Sequence, residues 1–130
     1  MNSRFFSKLL IILIVVPCFA FATTDVIDTI SGAFKTGNVS EISKYFDSNV
    51  ELTILDQEST YSKSQAAVVV QNFFNSNPVK GFELVHRSAS GDGSYGIGNL
   101  ITSSQTFRTY FYVKQKDGNS VIQELRFEKP

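Results

Sequence analysis

Near Lys80 the spacing of apolar residues changes from a helical period to a strand period, and this switch confines the chain to an α+β fold. Downstream, alternation gives four strands: Gly81–Ser90, Ser94–Ser103, Gln105–Gln115 and Asn119–Lys129. Asp92-Gly93 and Asp117-Gly118 are hairpin signals between them. Such a sheet needs cover on one face. Immediately upstream, Ser62-Lys63-Ser64-Gln65 reads as a capping box opening the longest helix, which runs through Asn75. Val70 and Phe74 lie four apart, as do Val69 and Phe73, so its apolar face is wide enough to cover a sheet. Asn77-Pro78 stops it, because proline disfavours a helical residue before it.

The first half is built more lightly. Asp25 to Thr36 places Ile27, Ile30 and Phe34 at helical spacing, and Gly37 is a natural terminator. Asn38-Val39-Ser40-Glu41 has capping-box spacing and predicts a second helix with Ile42, Tyr45 and Phe46 inward, ended by Asp47-Ser48-Asn49. The same cap accounts for Asn38-Val39-Ser40 without invoking a glycosylation site. Val50 to Leu55 alternates as a strand, Asp56 to Ser59 is a turn, and Thr60-Tyr61 is a short returning strand.

Register follows from charge. A two-residue Asp117-Gly118 loop would carry Glu124, Arg126 and Glu128 onto the face of Phe107 and Phe111. One slip exchanges every side chain between faces, and unpaired buried charges are strongly unfavourable. The expected loop is therefore Lys116-Asp117-Gly118, with Gly118 left-handed. It pairs Val113 with Val121, Phe111 with Gln123, Thr109 with Leu125 and Phe107 with Phe127. For the earlier hairpin, an Asp92-Gly93 loop groups Phe82, Leu84, His86 and Ser88 with Tyr95, Ile97, Asn99 and Ile101. Gly96 and Gly98 alternate on one strand face and mark a bend or a close approach.

The N-terminus reads as an export signal. Arg4 and Lys8 form a positive start, Leu9 to Val16 is wholly apolar, and Ala20-Phe21-Ala22 is a small-x-small cleavage site. The apolar run falls short of the about 20 residues a spanning helix needs. Residues 1–22 are thus expected to be removed, leaving no stable membrane anchor and a single domain over residues 23–130 in the periplasm or outside the cell. Without Arg4 and Lys8 the 12 basic residues become 10, against 12 acidic, a net charge of −2. No basic run is present, so nucleic acid is not an expected partner. Cys18, the only cysteine, lies in the signal; a lipid-modified Cys18 is the alternative, but Pro17 stands where such sites favour a small residue. With no cysteine and one histidine left, no metal site or cofactor is expected.

Several stretches carry a family resemblance: Gly37-Asn38, Lys44-Tyr45-Phe46, Val50-Glu51-Leu52-Thr53-Ile54, Tyr61-Ser62-Lys63-Ser64-Gln65-Ala66, Phe73-Phe74, Asn77-Pro78, His86, Phe107-Arg108-Thr109-Tyr110-Phe111 and Ile122-Gln123-Glu124-Leu125-Arg126. Together with the element order they resemble the secreted bacterial domain of unknown function 4783 family, within the nuclear-transport-factor-2-like superfamily. That resemblance implies a cone: a strongly bent antiparallel sheet wrapped around one long helix, with an N-terminal helical hairpin. It implies no particular activity, since the superfamily hosts enzymes and binders alike.

Two residue groups are candidate sites. Phe82, Leu84, His86, Tyr95, Ile97, Asn99 and Phe107 are expected to line a cone pocket for a small apolar ligand. Arg108, Tyr110, Tyr112 and Arg126 are expected on the outer sheet face, where a weak homodimer would form; superfamily members often pair through the sheet. The favoured reading is an exported non-enzymatic module binding a small ligand or a protein. One alternative is a lyase or isomerase using His86 as acid and base; it lacks a carboxylate, since alternation puts Glu83 on the opposite face. The other is a purely structural dimerisation module. Intact mass of the exported protein is expected to give Thr23 as the first residue; an acylated species beginning at Cys18 would overturn this.

Overall fold

The computed structural model describes Ile14, Val15, Pro17 and residues 25–130. The remainder of the expected export signal, with its expected cleavage site and Cys18, lies outside the described residues. Among those described, no helix is long and apolar enough to cross a membrane.

Local signals set the helices. The Asp25 side chain accepts from the Ile27 amide, starting α1 (Val26–Thr36), which buries Ile27, Ile30 and Phe34. Gly37 closes it at φ 65°, the left-handed conformation that glycine adopts without strain. Asn38 caps α2 (Val39–Ser43) through the Glu41 amide, while the Glu41 carboxylate turns to Lys44 at 2.7 Å. This helix is shorter than expected. Phe46 is buried as anticipated, but it opens strand β1 (Phe46–Ile54), which absorbs Asp47-Ser48-Asn49. The Ile122 amide donates to the Tyr45 carbonyl at 2.6 Å, and Phe46 pairs with Ile122. Pairing with a distant strand therefore wins over continuing the helix. Asp47 fixes the same junction, accepting from Lys116 at 3.1 Å and Gln123 at 3.2 Å. Burial works against its charge, yet the bonds from Ser48, Gln123 and Lys116 hold its carboxyl below the ordinary value.

Leu55 and Asp56 turn the chain into β2 (Gln57–Ser62), a fuller strand than Thr60-Tyr61 alone. Both halves of the Ser62–Gln65 capping box form, and α3 (Lys63–Ser76) follows with Ala66, Val70, Phe73 and Phe74 buried. The Asn77 side chain donates to the Phe73 carbonyl and accepts from the Ser104 hydroxyl, tying the helix end to a sheet loop. The remaining strands are β3 (Val79–Ser90), β4 (Gly93–Thr102), β5 (Thr106–Lys116) and β6 (Asn119–Glu128). The six strands form one open sheet in the order β2-β1-β6-β5-β4-β3. Four of its pairings are antiparallel, whereas β1 runs parallel to β6.

Both hairpins correct the expected registers. In the last one Lys116 pairs with Asn119, leaving a two-residue Asp117-Gly118 loop with φ 52° and 78°. Gly118 is left-handed as expected, but Val113 faces Ile122 rather than Val121. The extra residue sits inside β6: Gln123 bulges, so Phe111 meets Leu125, Thr109 meets Phe127 and Tyr112 meets Glu124. Charge segregation survives, produced by the strand instead of the loop. In the β3–β4 hairpin the loop is Gly91-Asp92, with Gly91 at φ 57°. His86 pairs with Ile97, then Val85 bulges and Leu84 pairs with Gly98. Side chains on the two sides of Val85 consequently change faces.

The three helices cover one face of the sheet, and phenylalanines fill the space between. Phe34 lies 5.3 Å from Phe82, 5.4 Å from Phe111 and 6.2 Å from Phe127. Phe73 extends the cluster to Phe107 at 5.0 Å and to Phe127 at 4.9 Å. Two glycines make this possible. The Phe111 ring lies over Gly96 and the Phe82 ring over Gly98, so both mark close approaches of aromatic rings. A Cβ on Gly98 would stand 2.6 Å from the Glu83 carbonyl oxygen as well as inside the Phe82 ring envelope. Gly98→Ala is accordingly expected to destabilise the domain by about 1–3 kcal/mol, through overpacking. Denaturant titration checks this; an unchanged midpoint would mean that Phe82 does not rest on β4.

Candidate functional site

The helices leave the opposite sheet face bare. In β5 the buried residues are Phe107, Thr109, Phe111 and Val113, so Arg108, Tyr110, Tyr112 and Lys114 point outward. Cross-strand register sets Tyr95 beside Tyr112, Ile97 beside Tyr110 and Asn99 beside Arg108. On the other flank, Arg126 stands beside Tyr110, Glu124 beside Tyr112 and Glu128 beside Arg108.

A continuous row crosses four strands on this face. His86 on β3 lies 5.9 Å from Tyr95 on β4, and Tyr95 lies 5.8 Å from Tyr110 on β5. Arg126 on β6 places its guanidinium 5.3 Å from the Tyr110 ring centre, a cation–π contact, and pairs with Glu124. Burial first, and the Glu124 charge second, push the Tyr110 phenol above its ordinary range, so the ring is neutral across physiological pH. Beyond Arg126 the face turns acidic: Glu51 on β1 is paired in register with Glu124, and Glu58 on β2 is adjacent. Hydrogen bonding with Glu58 and then the charge of Glu124 raise the Glu51 carboxyl above its ordinary value.

The expected pocket residues separate into two groups. Phe82, Leu84 and Phe107 point inward and belong to the aromatic core or pack against it. His86, Tyr95, Ile97 and Asn99 share the bare face with Tyr110 and Tyr112. Val85 is the cause: its bulge reverses the strand's parity between Leu84 and His86. The same reversal corrects Glu83, which pairs with Asn99 and so lies on the His86 face. No ion pair joins Glu83 to His86 among the described residues, where the hydrogen-bonding side-chain neighbour of His86 is the Tyr95 hydroxyl at 3.5 Å. Asn99 faces Arg108 and Glu83, not His86. Arg108, Tyr110, Tyr112 and Arg126 occupy one face, as the sequence indicated. Sequence reasoning missed the acidic end, because the alignment of Glu51 with Glu124 depends on the parallel β1–β6 pairing.

Open clefts lie apart from the aromatic interior. One of about 400 Å³, between β2 and α3, is lined by Tyr61, Val68 and Val69 among others. Another, of about 390 Å³, lies at the bulge and is lined by Leu84, Val85, His86 and Arg87. Among the described residues no group of three or more His, Cys, Asp or Glu side chains is arranged to hold a metal ion.

The profile of the family described as "Domain of unknown function (DUF4783)" matches residues 27–128. The chain belongs to this family. A DUF4783 protein from Bacteroides ovatus ATCC 8483 is 30% identical in sequence, with a TM-score of 0.76 over 78% of this chain and 93% of its own. Another, from Bacteroides uniformis ATCC 8492, is 28% identical, with a TM-score of 0.78 over 82% and 98%. An NTF2-like protein of unknown function from Pseudomonas putida KT2440 shares the fold at 15% identity, with a TM-score of 0.63 over 81% of this chain and 82% of its own. No curated protein matches the chain. The DUF4783 domain is therefore an α+β cone of the NTF2-like kind, with a curved, unclosed sheet.

The acidic end of the DUF4783 sheet generates a pH-dependent expectation. The folded pKa of Glu51 is raised, so its ionised form is disfavoured at pH values above that pKa. This disadvantage disappears once the pH falls below the ordinary value of 4.5. Glu51→Gln is expected to raise the melting midpoint near neutral pH in low salt, with no gain below that value. Thermal melts across pH check this; an equal gain at acid pH would assign the effect to packing.

Proposed function

We propose that the protein is an exported, non-catalytic interaction module that pairs with a second copy through the bare face of its sheet. One observation carries this reading: the face is self-complementary in charge and aromatic in the middle. Its β2, β1 and β6 strands present Glu58, Glu51, Glu124 and Glu128 with Arg126, whereas β5 and β4 present Arg108, Lys114 and three tyrosines. A two-fold axis along the strands lays the acidic half of one copy on the aromatic and basic half of its partner. Six strands about 4.8 Å apart and about 35 Å long offer roughly 800 Å², the size of a standard contact per partner. Sheet curvature reduces the area that touches, and desolvating Lys and Glu opposes association. Self-association is therefore weak.

The other readings have less support. Phenyl rings occupy the interior where an apolar ligand would sit. A lyase or isomerase would be helped by a carboxylate beside His86, whereas among the described residues the hydrogen-bonding side-chain neighbour of His86 is the Tyr95 hydroxyl. Sedimentation of the processed protein across micromolar concentrations is expected to show a monomer–dimer equilibrium that weakens with salt and is lost in a Tyr110→Glu, Tyr112→Glu double variant. A monomer at every concentration rejects the second-copy reading. A dimer indifferent to the double change places the contact elsewhere.

A further inference from the structure

The open sheet ends in two edge strands, β3 and β2, and only β3 is guarded. It carries bulges at Lys80 and Val85, and its Arg87 is held by Asp25 and Asp28 at the start of α1. Bulges and charges of this kind keep a strand edge from pairing with another chain. β2 has neither device against β1: its residues include no Lys, Arg or Pro, and its register is unbroken. Leu55-Asp56 is a two-residue loop, so Ile54 and Gln57 exchange both backbone bonds, as do Leu52 with Ser59 and Val50 with Tyr61. The amides and carbonyls of Glu58 and Thr60 therefore point away from the sheet. The next outward amide, at Ser62, is already taken by the Gln65 side chain in the capping box.

The two faces beside this edge differ in chemistry. Tyr61 pairs with buried Val50 and so lies on the inner face, where the cleft against α3 is lined by Tyr61, Ser64, Gln65, Val68 and Val69. Val68 is 59% exposed there, although α3 buries Ala66 and Val70 close by. On the outer face Glu58 stands diagonal to Glu51; both are exposed, and among the described residues no ion pair includes either. We propose that β2 takes an extended segment of another protein as a seventh strand, one that alternates basic and apolar residues. Alternation is required because successive side chains of an added strand point to opposite faces. Those opposite Glu58 and Thr60 stand on the outer face, where lysine or arginine neutralises Glu58 and Glu51. Those between them enter the cleft beside Val68. A second copy of β2 is a poor occupant, because it would bring another Glu58 and Glu51 to the same acidic corner. The added strand docks on the edge and does not require self-association.

The probe is a peptide with capped termini that alternates lysine and valine over about eight residues, enough to span β2. It is titrated into the processed protein and into the Tyr110→Glu, Tyr112→Glu double variant, so that self-association does not enter the readout. Saturable binding is expected in both, with new hydrogen-exchange protection at the Glu58 and Thr60 amides. A peptide alternating glutamate and valine should bind about tenfold more weakly, as should the lysine peptide to Glu58→Lys. Thr60→Pro removes an amide that β1 does not use, so it should melt near the native midpoint and lose binding. Val68→Ser, an exposed change, should weaken binding about fivefold through lost apolar contact. No binding at about millimolar peptide overturns the site. Binding that leaves both amides unprotected, or that survives Thr60→Pro, overturns strand addition. Equal affinity for the two peptides overturns the basic partner. Protection of the same amides in the double variant alone, rising with its concentration, overturns the foreign segment in favour of a second copy.

Discussion

Side chains in a strand alternate between faces, so one extra residue exchanges the buried and exposed sets from that point onward. The molecule depends on this at two places. Gln123 bulges in β6, and beyond it Leu125 and Phe127 enter the core while Glu124, Arg126 and Glu128 take the opposite face. Val85 bulges in β3 and sends Phe82 and Leu84 inward while His86 points out. Without these insertions, each strand would present apolar and polar groups to the same face. The Gln123 side chain also reaches Asp47, so the bulge that sorts the charges helps hold β1 in parallel pairing.

Aromatic packing follows from that sorting. Phe82 and Phe111 can lie across β4 only because Gly96 and Gly98 leave room, and Phe34 from α1 closes over them. Rings contribute large apolar area and favour tilted or edge-to-face contacts, which suits a curved sheet. The filled interior turns attention to the bare face. Functional variety within this fold arises from sites placed upon it, and membership of the DUF4783 family supplies the frame without the chemistry.

The bare face is a gradient rather than a patch. Arg126 lies between the Tyr110 ring and the Glu124 carboxylate, and so joins the aromatic row to the acidic strands. Each surface ion pair there is worth little by itself, and salt screens it. If two copies stack with their strands aligned, as proposed, the gradient acts on orientation: opposite charges meet only where the strand order is inverted.

The local signals were legible in the sequence. Gly37, the Asn38 cap, the Ser62–Gln65 capping box and the Pro78 stop each act within a few residues, and each operates where the sequence placed it. The exclusion of Glu124, Arg126 and Glu128 from the core was legible too, because no register that buries three charges is stable. What the sequence left open was how that exclusion is achieved. A bulge can occur in the loop or at several points along a strand, and the choice depends on which side chains of the partner strand need cover. For the same reason Phe46 looked helical until Ile122 was there to pair with it, and His86 and Phe82 looked like neighbours in one pocket. The sequence by itself determined the elements, their caps and the identity of the charged face. Only the tertiary structure decided the strand parity at Val85 and Gln123, the parallel β1–β6 pairing and the closure of the interior, because these depend on contacts between residues far apart in the chain.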